Sequence, residues 1–524
     1  MEAMDLITYT IYFLSGFLCF LGILKIFMKK SFLYWKKRDV PYLEPSFPFG
    51  NLKGFLTFKR SMGEAYADIY RKLGDVPMGG AFMVHRPVLI LKDPELIRNF
   101  LVKDFEHFHD HGFVFDEKVD PLAGNLFMLN GKKWKGLRND LTRTFTSGKI
   151  KRMFNMAVAC GEELAEFLKK PGNRGDVVEV KDIMAKFTID IIASCAFGVQ
   201  CNSLKNPDCE FRRYGKRMQE LSLLDHFRGL LYMVAPSVAI SLKLPITPSC
   251  VSAFFRKVVK EIIDVRKRDE IKRNDFIQLL LELKEEKIFG ESKSGLTMDQ
   301  ITAQVMIFFT GGFETSSNVM SFCLYELAMN LDIQGKLRQE ITSVLEKHGS
   351  VTYEAVNEMK YLNQVISESL RKYPPVSLLN RDCNKPYKIP GTDYTVEKGT
   401  QVVVPVLGLH KDATYYPDPE KFDPERFSNE EIFKRHHYVY LPFGEGPRIC
   451  IGMRFGLMQT KVGLIHLLQN FEFHTCDETV IPPTINPRLF ITSAVGGIHL
   501  QIKSLRQSNG GNQDLYVSPQ SCFS

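Results

Sequence analysis

The chain has 524 residues, of which 44% are hydrophobic, and a formal net charge of +8. This charge is small for the length, and the lysines and arginines do not form the concentrated basic stripe of a nucleic-acid-binding protein. The 11 cysteines are scattered and odd in number, and there is neither a CxxC pair nor an Asn-x-Ser/Thr sequon. These features favour a reducing, cytosolic environment for most of the chain.

The N-terminus predicts a membrane anchor. The stretch LITYTIYFLSGFLCFLGIL (residues 6–24) carries no charge and nearly spans a hydrocarbon core as a helix. Glu2 and Asp5 precede it and a lysine- and arginine-rich segment follows, so the body of the chain should face the cytosol. A cleaved signal peptide is the alternative, disfavoured by the acidic start and the missing small-x-small cleavage site. We therefore predict a single-pass anchor over residues 1–30.

Three further segments follow from composition. Residues 31–55 form a basic, proline-rich connector, which should be stiff and non-helical. Residues 56–503 contain no low-complexity linker and no repeat, and they are predicted to form one large domain. Residues 504–524 are polar and rich in glycine and serine, which predicts a disordered tail.

Helical periodicity dominates the large domain. Thr297 and Gln300 make a capping box, and the apolar pattern after them continues to about Leu331. Such a helix, on the order of 45 Å long, would cross a whole domain. The predicted fold class is mostly α with a small β part. Strands are predicted at residues 88–93, 400–406 and 496–503.

The segment FGEGPRICIG (residues 443–452) surrounds Cys450 with glycines and places Arg448 two positions before it. The sequence after Cys450 predicts an amphipathic helix, whose start would favour a thiolate. Gly444, Gly446 and Gly452 would allow sharp turns and a close approach to a flat ligand. Phe443 could shield the sulfur. One more buried structural cysteine is the alternative.

The long predicted helix contains TGGFETSS (residues 310–317). Two glycines inside a helix cost roughly 1 kcal/mol each relative to alanine, so a compensating role is expected. A small ligand that approaches the backbone near Gly311 would supply one. Glu314 and Thr315 add an acid and a hydroxyl suited to proton transfer. A helix kink with a back-bonding threonine is the alternative.

The first segment fits F-x-x-G-x-R-x-C-x-G at every specified position and resembles the haem-thiolate loop of cytochromes P450. The second resembles the oxygen-activating helix of the same family. The resemblance implies the P450 fold and haem b, with Cys450 as the axial ligand of the iron. It also implies that Thr315 and Glu314 assist proton delivery to bound oxygen.

Two more motifs support the resemblance. ESLR places Glu368 and Arg371 on one helical face, and PERF supplies Arg426. In the family these residues form a buried charged network that serves folding and haem retention. In the family, residues equivalent to Trp134, Arg138, Arg381 and Arg448 line the haem edge, and the arginines pair with its propionates.

Other features could mislead. His107, His109 and His111 alternate and could bind a metal on a strand, but the segment lacks β-branched neighbours. The family has a related F-x-D-R-G segment here, and His111 replaces its arginine, so no role of that arginine is carried over. His410 is interpreted as structural. Lys132, Lys133 and Lys135 form a basic cluster of the kind that usually faces solvent, and it could help to dock an acidic flavoprotein.

Several phrases, such as LTRTFTSGKIKRMF and YYPDPEKFDPERF, are similar to the insect family-6 cytochromes P450. This resemblance implies an endoplasmic-reticulum monooxygenase that inserts one oxygen atom of O2 into a lipophilic xenobiotic or endogenous lipid. Electrons would come from NADPH through cytochrome P450 reductase, with cytochrome b5 as a possible second donor. The alternatives are a haem-binding or sensor protein without turnover, a P450 that rearranges a peroxide, and one dedicated to hormone biosynthesis. The implied substrate pocket consists of Phe113, Phe127, Phe308, Gly311, Val376, Leu379 and Thr492.

Overall fold

The computed structural model describes residues 2–220, 222–270, 273, 275–285 and 295–505. Helices account for most of these residues. The helices in the first half are α1 Glu2–Ser31, α2 Lys53–Leu56, α3 Met62–Lys72, α4 Pro94–Arg98, α5 Gly131–Thr142, α6 Ser147–Arg174, α7 Val180–Ile192, α8 Glu210–Gln219, α9 Leu223–Val234, α10 Pro236–Ser241 and α11 Ser249–Arg268. Those in the second half are α12 Phe276–Glu285, α13 Met298–Met329, α14 Leu331–His348, α15 Tyr353–Glu358, α16 Lys360–Lys372, α17 Val406–His410, α18 Asn429–Lys434 and α19 Met453–Asn470.

The strands are short. They are β1 Met78–Met83, β2 Arg86–Leu91, β3 Val177–Glu179, β4 Leu379–Asp382, β5 Tyr387–Lys388, β6 Thr395–Val396, β7 Gln401–Val404, β8 Phe471–His474 and β9 His499–Ser504. The main sheet has the order β1-β2-β7-β4, in which β2 and β7 run parallel with Ile90 opposite Val403. The predicted fold class, mostly α with a small β part, is confirmed, and β2, β7 and β9 fall at the three predicted strand positions.

Helix α13 is the axis of the domain. Thr297 accepts from the backbone N–H of Gln300, whose side chain returns to the N–H of Thr297, so the predicted capping box is present. The helix ends at Met329, two residues before the predicted end, and α14 starts at Leu331. Helix α13 is buried along most of its length, and its buried side chains include polar ones such as Gln304 and Glu314. It packs against α7 on one side and α19 on another.

The N-terminal helix α1 is, by length and composition, the one helix in the described part of the chain that could cross a membrane. Its last turn already belongs to the body, since Met28 is buried and the Phe27 ring lies 5.4 Å from that of His85. The predicted connector packs on the sheet, but it is not wholly non-helical as predicted, because it contains a short helical turn at Lys36–Arg38 and most of α2. Trp35 is fully buried and its Nε1 donates to the Ala81 carbonyl at 3.0 Å. Apart from residues 504 and 505, the predicted tail lies outside the described residues.

Candidate active site

The loop before α19 holds Cys450 in a fixed turn. The backbone N–H of Cys450 donates to the Phe443 carbonyl at 3.0 Å, which closes the loop on itself. Gly446 has a φ of +76°, and a β-carbon there would collide with the Leu101 carbonyl oxygen. Only glycine fits this position. At Gly452, directly before α19, a β-carbon would meet no protein atom within 4 Å, so this side of the turn is open.

The Cys450 side chain is accessible from this open space, although protein atoms surround it on the other sides. Burial raises the pKa of the Cys450 thiol. The backbone N–H groups of Gly452 and Met453 and the positive charge of Arg138 lower the pKa, but burial outweighs them. The predicted helix start is therefore present and acts in the predicted direction, yet it does not ionise the sulfur by itself. A bound metal ion would hold the sulfur as a thiolate.

Three guanidinium groups surround the same region. Arg448 donates from Nε to the His109 carbonyl and from one terminal nitrogen to the Leu129 carbonyl, both at 2.8 Å. Its other terminal nitrogen is buried without a partner, and the group lies 4.0 Å above the Trp134 ring. Burial, together with the charges of Arg381 and Arg138, lowers the pKa of Arg448 to about 9.

Arg381 on β4 makes fewer hydrogen bonds than Arg448. One terminal nitrogen donates to the Asn380 carbonyl at 2.7 Å, while Nε is buried without a partner. Burial alone lowers the pKa of Arg381 to about 10. No ion pair of Arg381 or Arg138 with a carboxylate occurs in the part of the chain that the structure describes. Buried cations of this kind need anions, so the cluster fits a ligand that carries carboxylates, as the propionates of haem do.

The two glycines of α13 face different neighbours. A β-carbon at Gly311 would meet nothing within 4 Å, whereas one at Gly312 would lie 2.8 Å from Ile192 Cδ1. Gly311 therefore borders open space and Gly312 allows α7 to pack closely. The Thr315 hydroxyl donates to the Gly311 carbonyl at 2.8 Å, and α13 runs through this point without a break.

Glu314 does not share that open side. Its carboxylate is buried, with Oε1 accepting from Asn318 at 2.8 Å and lying 3.1 Å from Lys181 Nζ. Oε2 is buried without a partner. Lys181, on α7, also donates to the Ser317 hydroxyl at 2.7 Å. The acid and the hydroxyl, adjacent in sequence, thus have different partners: Glu314 is tied to α7 and Thr315 to its own helix.

Glu368, Arg371 and Arg426 do come together, fully or nearly buried. Arg371 donates from Nε and a terminal nitrogen to the two Glu368 oxygens at 2.7 and 2.8 Å. Arg426 Nε lies 3.5 Å from Glu368, and the Asp423 N–H donates to the same carboxylate. His410 is held between Arg371 and Leu441 by hydrogen bonds, and burial lowers its pKa to about 3. This histidine therefore stays neutral.

The predicted pocket residues fall into separate places. The rings of Phe113 and Phe127 lie 5.3 Å apart, and Phe490 adjoins them at 6.3 Å from Phe127. Leu379 lies beside Gly444 of the cysteine loop. Thr492 uses its hydroxyl to donate to the Pro374 carbonyl. Phe308 stacks on Phe145 and contacts Phe276.

The alternating histidines are not on a strand. His107 ends a short helical turn, His109 pairs with Asp110 at 2.7 Å, and Nδ1 of His111 lies 3.0 Å from the Phe127 carbonyl. Among the residues the structure describes, no group of three or more histidine, cysteine or acidic side chains could hold a metal ion. Lys132, Lys133 and Lys135 are exposed on α5, with Lys133 2.7 Å from Glu117.

Comparison with known proteins identifies the family of this chain. The family model for cytochrome P450 matches residues 40–500. The chain belongs to the cytochrome P450 family. Cytochrome P450 6a2 of Drosophila melanogaster is 42% identical over 91% of this chain and 96% of its own length. Cytochrome P450 6A1 of Musca domestica is 41% identical over 92% and 96%. Cytochrome P450 6j1 of Blattella germanica is 42% identical over 91% and 95%.

The predicted resemblance to the insect family-6 enzymes is thus confirmed, and the protein is a P450 monooxygenase. The family implies haem.

Several contacts of this P450 site were missed from the sequence. Gln459 on α19 donates to the Gly312 carbonyl and the Ser316 hydroxyl of α13, at 2.7 and 2.6 Å. Lys181 and Asp110 also join segments far apart in the chain. No local spacing indicates such partners, because each pair is separated by more than a hundred residues.

Proposed function

We propose that the chain binds haem b through Cys450 and inserts one oxygen atom of O2 into a lipophilic substrate. The observation that carries this proposal is the convergence of a deep thiol with buried guanidinium nitrogens that lack acceptors. Arg138, Arg381 and Arg448 would hold the propionates, and Trp134 would pack behind Arg448. Phe443, Gly444 and Gly452 would shape the loop around the sulfur.

The bound haem would supply oxygen activation, which a thiolate ligand favours by increasing electron density at the iron. The chain itself orients this cofactor and handles protons. Gly311 leaves room beside α13, and the Thr315 hydroxyl lies on the same open side. Glu314 would provide a proton after release from Lys181, since its carboxylate is committed to α7 in this structure. The network of Glu368, Arg371 and Arg426 would keep the cofactor's supporting segments folded.

Electrons would come from NADPH through cytochrome P450 reductase, with cytochrome b5 as a second donor. The exposed Lys132, Lys133 and Lys135 support this part of the proposal, because α5 also carries Trp134 and Arg138. A basic surface on the helix beside the cofactor would attract an acidic flavoprotein and bring it near the haem.

The proposed location is the endoplasmic-reticulum membrane, with the catalytic domain in the cytosol. Beyond α1, the helix α9 supports this orientation, since Leu223 is 79% exposed and Phe227 59%. The C-terminal end of this helix lies near the base of α1, since Arg86, next to His85, donates to the Met233 carbonyl of α9. Exposed apolar patches of this kind suit an interface with lipid.

The substrate is proposed to be a lipophilic xenobiotic, such as a plant toxin or insecticide, or an endogenous lipid. The aromatic rings of Phe113, Phe127 and Phe490 support an apolar substrate. Val376, Leu379 and Thr492 complete the proposed pocket. Gly311 borders it, and Phe308 would act from behind α13 through its contact with Phe145.

The test uses the full chain purified in detergent. Its reduced CO complex should have the red-shifted Soret band of thiolate-bound haem, and Cys450→Ser should lose that band. If Cys450→Ser keeps it, another residue is the ligand. With reductase, NADPH and a panel of lipophiles, oxygenated products are expected. A normal CO spectrum with no product across a broad panel would instead favour a binding or sensor role.

A further inference from the structure

His111 lies beside Arg381 and Arg448, each of which keeps one buried nitrogen without a partner, although Arg448 also lies 3.5 Å from the Asp110 carboxylate. Asp110 and Asp382 form an isolated antiparallel bridge, so His111 and Arg381 are opposite one another on the two segments. Arg448 approaches from the third side, since its Nε donates to the carbonyl of His109. His111 therefore lies in the same group of side chains as Arg381 and Arg448, although a histidine with an ordinary pKa is mostly neutral at pH 7.

Its ring is oriented by the protein. Nδ1 lies 3.0 Å from the Phe127 carbonyl, which can only accept, so Nδ1 carries a hydrogen. The rings of Phe127 and Phe113 lie 5.0 and 6.2 Å away and fix the plane. In the described part of the chain, Nε2 has no hydrogen-bond partner. With Nδ1 donating, Nε2 becomes a donor only when the imidazole is protonated.

The surrounding charges oppose that proton. Burial, followed by the charges of Arg381 and Arg448, holds the pKa of His111 well below its usual value. The nearby acids do not offset this effect. Asp110 already accepts from Gly131, Asn384 and His109. Burial raises the pKa of Asp382 to about 6, so this carboxyl is partly protonated near pH 6.

We propose that His111 is a further cofactor-positioning residue, whose protonated Nε2 donates to a carboxylate of the bound cofactor beside Arg381 and Arg448. This inference rests on the haem assignment proposed above. The carboxylates would reverse the local field and raise the pKa of His111 in the loaded protein. Because that pKa is higher with the cofactor than without it, the gain in retention is complete at low pH. This gain in retention is lost as the pH rises through the pKa of His111 in the loaded protein.

The test measures haem transfer from the purified holoprotein to excess apomyoglobin between pH 6 and 8.5. The variants are His111→Gln and His111→Arg. His107→Gln is the matched control, because His107 lies in the same segment but contacts the Lys385 carbonyl and Tyr387 instead. The readout is the rate of each variant divided by the wild-type rate at the same pH, which removes general acid effects on the thiolate and propionates.

We expect His111→Gln to lose haem about tenfold faster than wild type at pH 6, the scale of one charged hydrogen bond, and at nearly the wild-type rate at pH 8.5. His111→Arg should retain haem at every pH and outperform wild type at high pH. A ratio for His111→Gln that does not change with pH, or the same change in His107→Gln, would overturn the proposal. Should the Gln variant not fold, His111→Arg still decides, since equal pH profiles for it and wild type exclude a titrating His111. A missing thiolate-haem spectrum in wild type would instead refute the haem assignment itself.

Discussion

Two arginine clusters lie buried in this protein, and they differ in what satisfies them. Arg371 gives its nitrogens to Glu368 and to the carbonyls of His410 and Pro419. Arg381 and Arg448 each keep a buried nitrogen without a partner. Removing one partner of a fully paired buried cation is strongly destabilising, whereas a buried cation without an anion costs free energy until a ligand supplies one. We therefore expect the first cluster to serve folding and the second to bind the cofactor.

The largest effect is expected from Arg371→Ala. Removing this group leaves Glu368 buried and uncompensated, which should cost about 3–5 kcal/mol in the free energy of unfolding. Denaturant unfolding of the purified protein measures it. Lys336→Ala is the control, because the Lys336–Glu425 pair is exposed and its loss should cost less than about 1 kcal/mol. Equal losses in the two variants would contradict a special role for the buried cluster.

Lys181→Gln tests a case between these two clusters. Lys181 and Glu314 form a buried ion pair, but one oxygen of Glu314 has no partner. We expect a loss of about 2–3 kcal/mol, smaller than for Arg371→Ala because glutamine can still donate a hydrogen bond. In turnover, the fraction of NADPH used for product should also change, since Glu314 is released. Lys186→Gln, on the same helix but paired with Asp182, should leave that fraction unchanged. A matching change in both variants would argue against Lys181 acting through Glu314.

The two glycines of α13 also differ in their surroundings, since Gly312 packs against α7 and Gly311 borders open space. Gly312→Ala should cost about 1–3 kcal/mol, because its β-carbon would press on Ile192. Gly311→Ala should stabilise the helix by up to about 1 kcal/mol, since no protein atom opposes the added methyl group. Thermal unfolding of the two variants measures both. If Gly311→Ala proved the more damaging change, the open space beside Gly311 would be wrongly placed.

The smallest effect on the fold is expected from Arg381→Met. It removes a buried charge that has no anionic partner in the described residues, so the unfolding free energy of the haem-free chain should stay the same or rise. Haem retention should fall by about tenfold, the scale of one charged hydrogen bond. Urea unfolding of the apoprotein and haem transfer from the holoprotein measure the two quantities. A large loss of apoprotein stability would assign Arg381 to the folding cluster instead.

Local spacing predicted much of this arrangement. The capping box at Thr297 and the pairing of Glu368 with Arg371 depend on residues three apart, so the sequence indicates them directly. Cys450 is predicted as the haem ligand because its loop is a long, specific pattern. Contacts made by tertiary packing carry no such signal, as with Lys181 on Glu314. The thiol also differs from expectation in degree, because the cost of burial exceeds the help from the start of α19.

The junction between α1 and the body has a mechanical consequence. Helix α1 ends at Ser31, and Trp35 is already fixed under the sheet by its bond to Ala81. The four-residue step between them reaches about 14 Å at full extension. Met28, inside α1, is itself buried against the body. With α1 inserted in a bilayer, so short a tether leaves the domain little freedom to swing, and the tilt of one helix would set the height and rotation of the whole domain above the lipid.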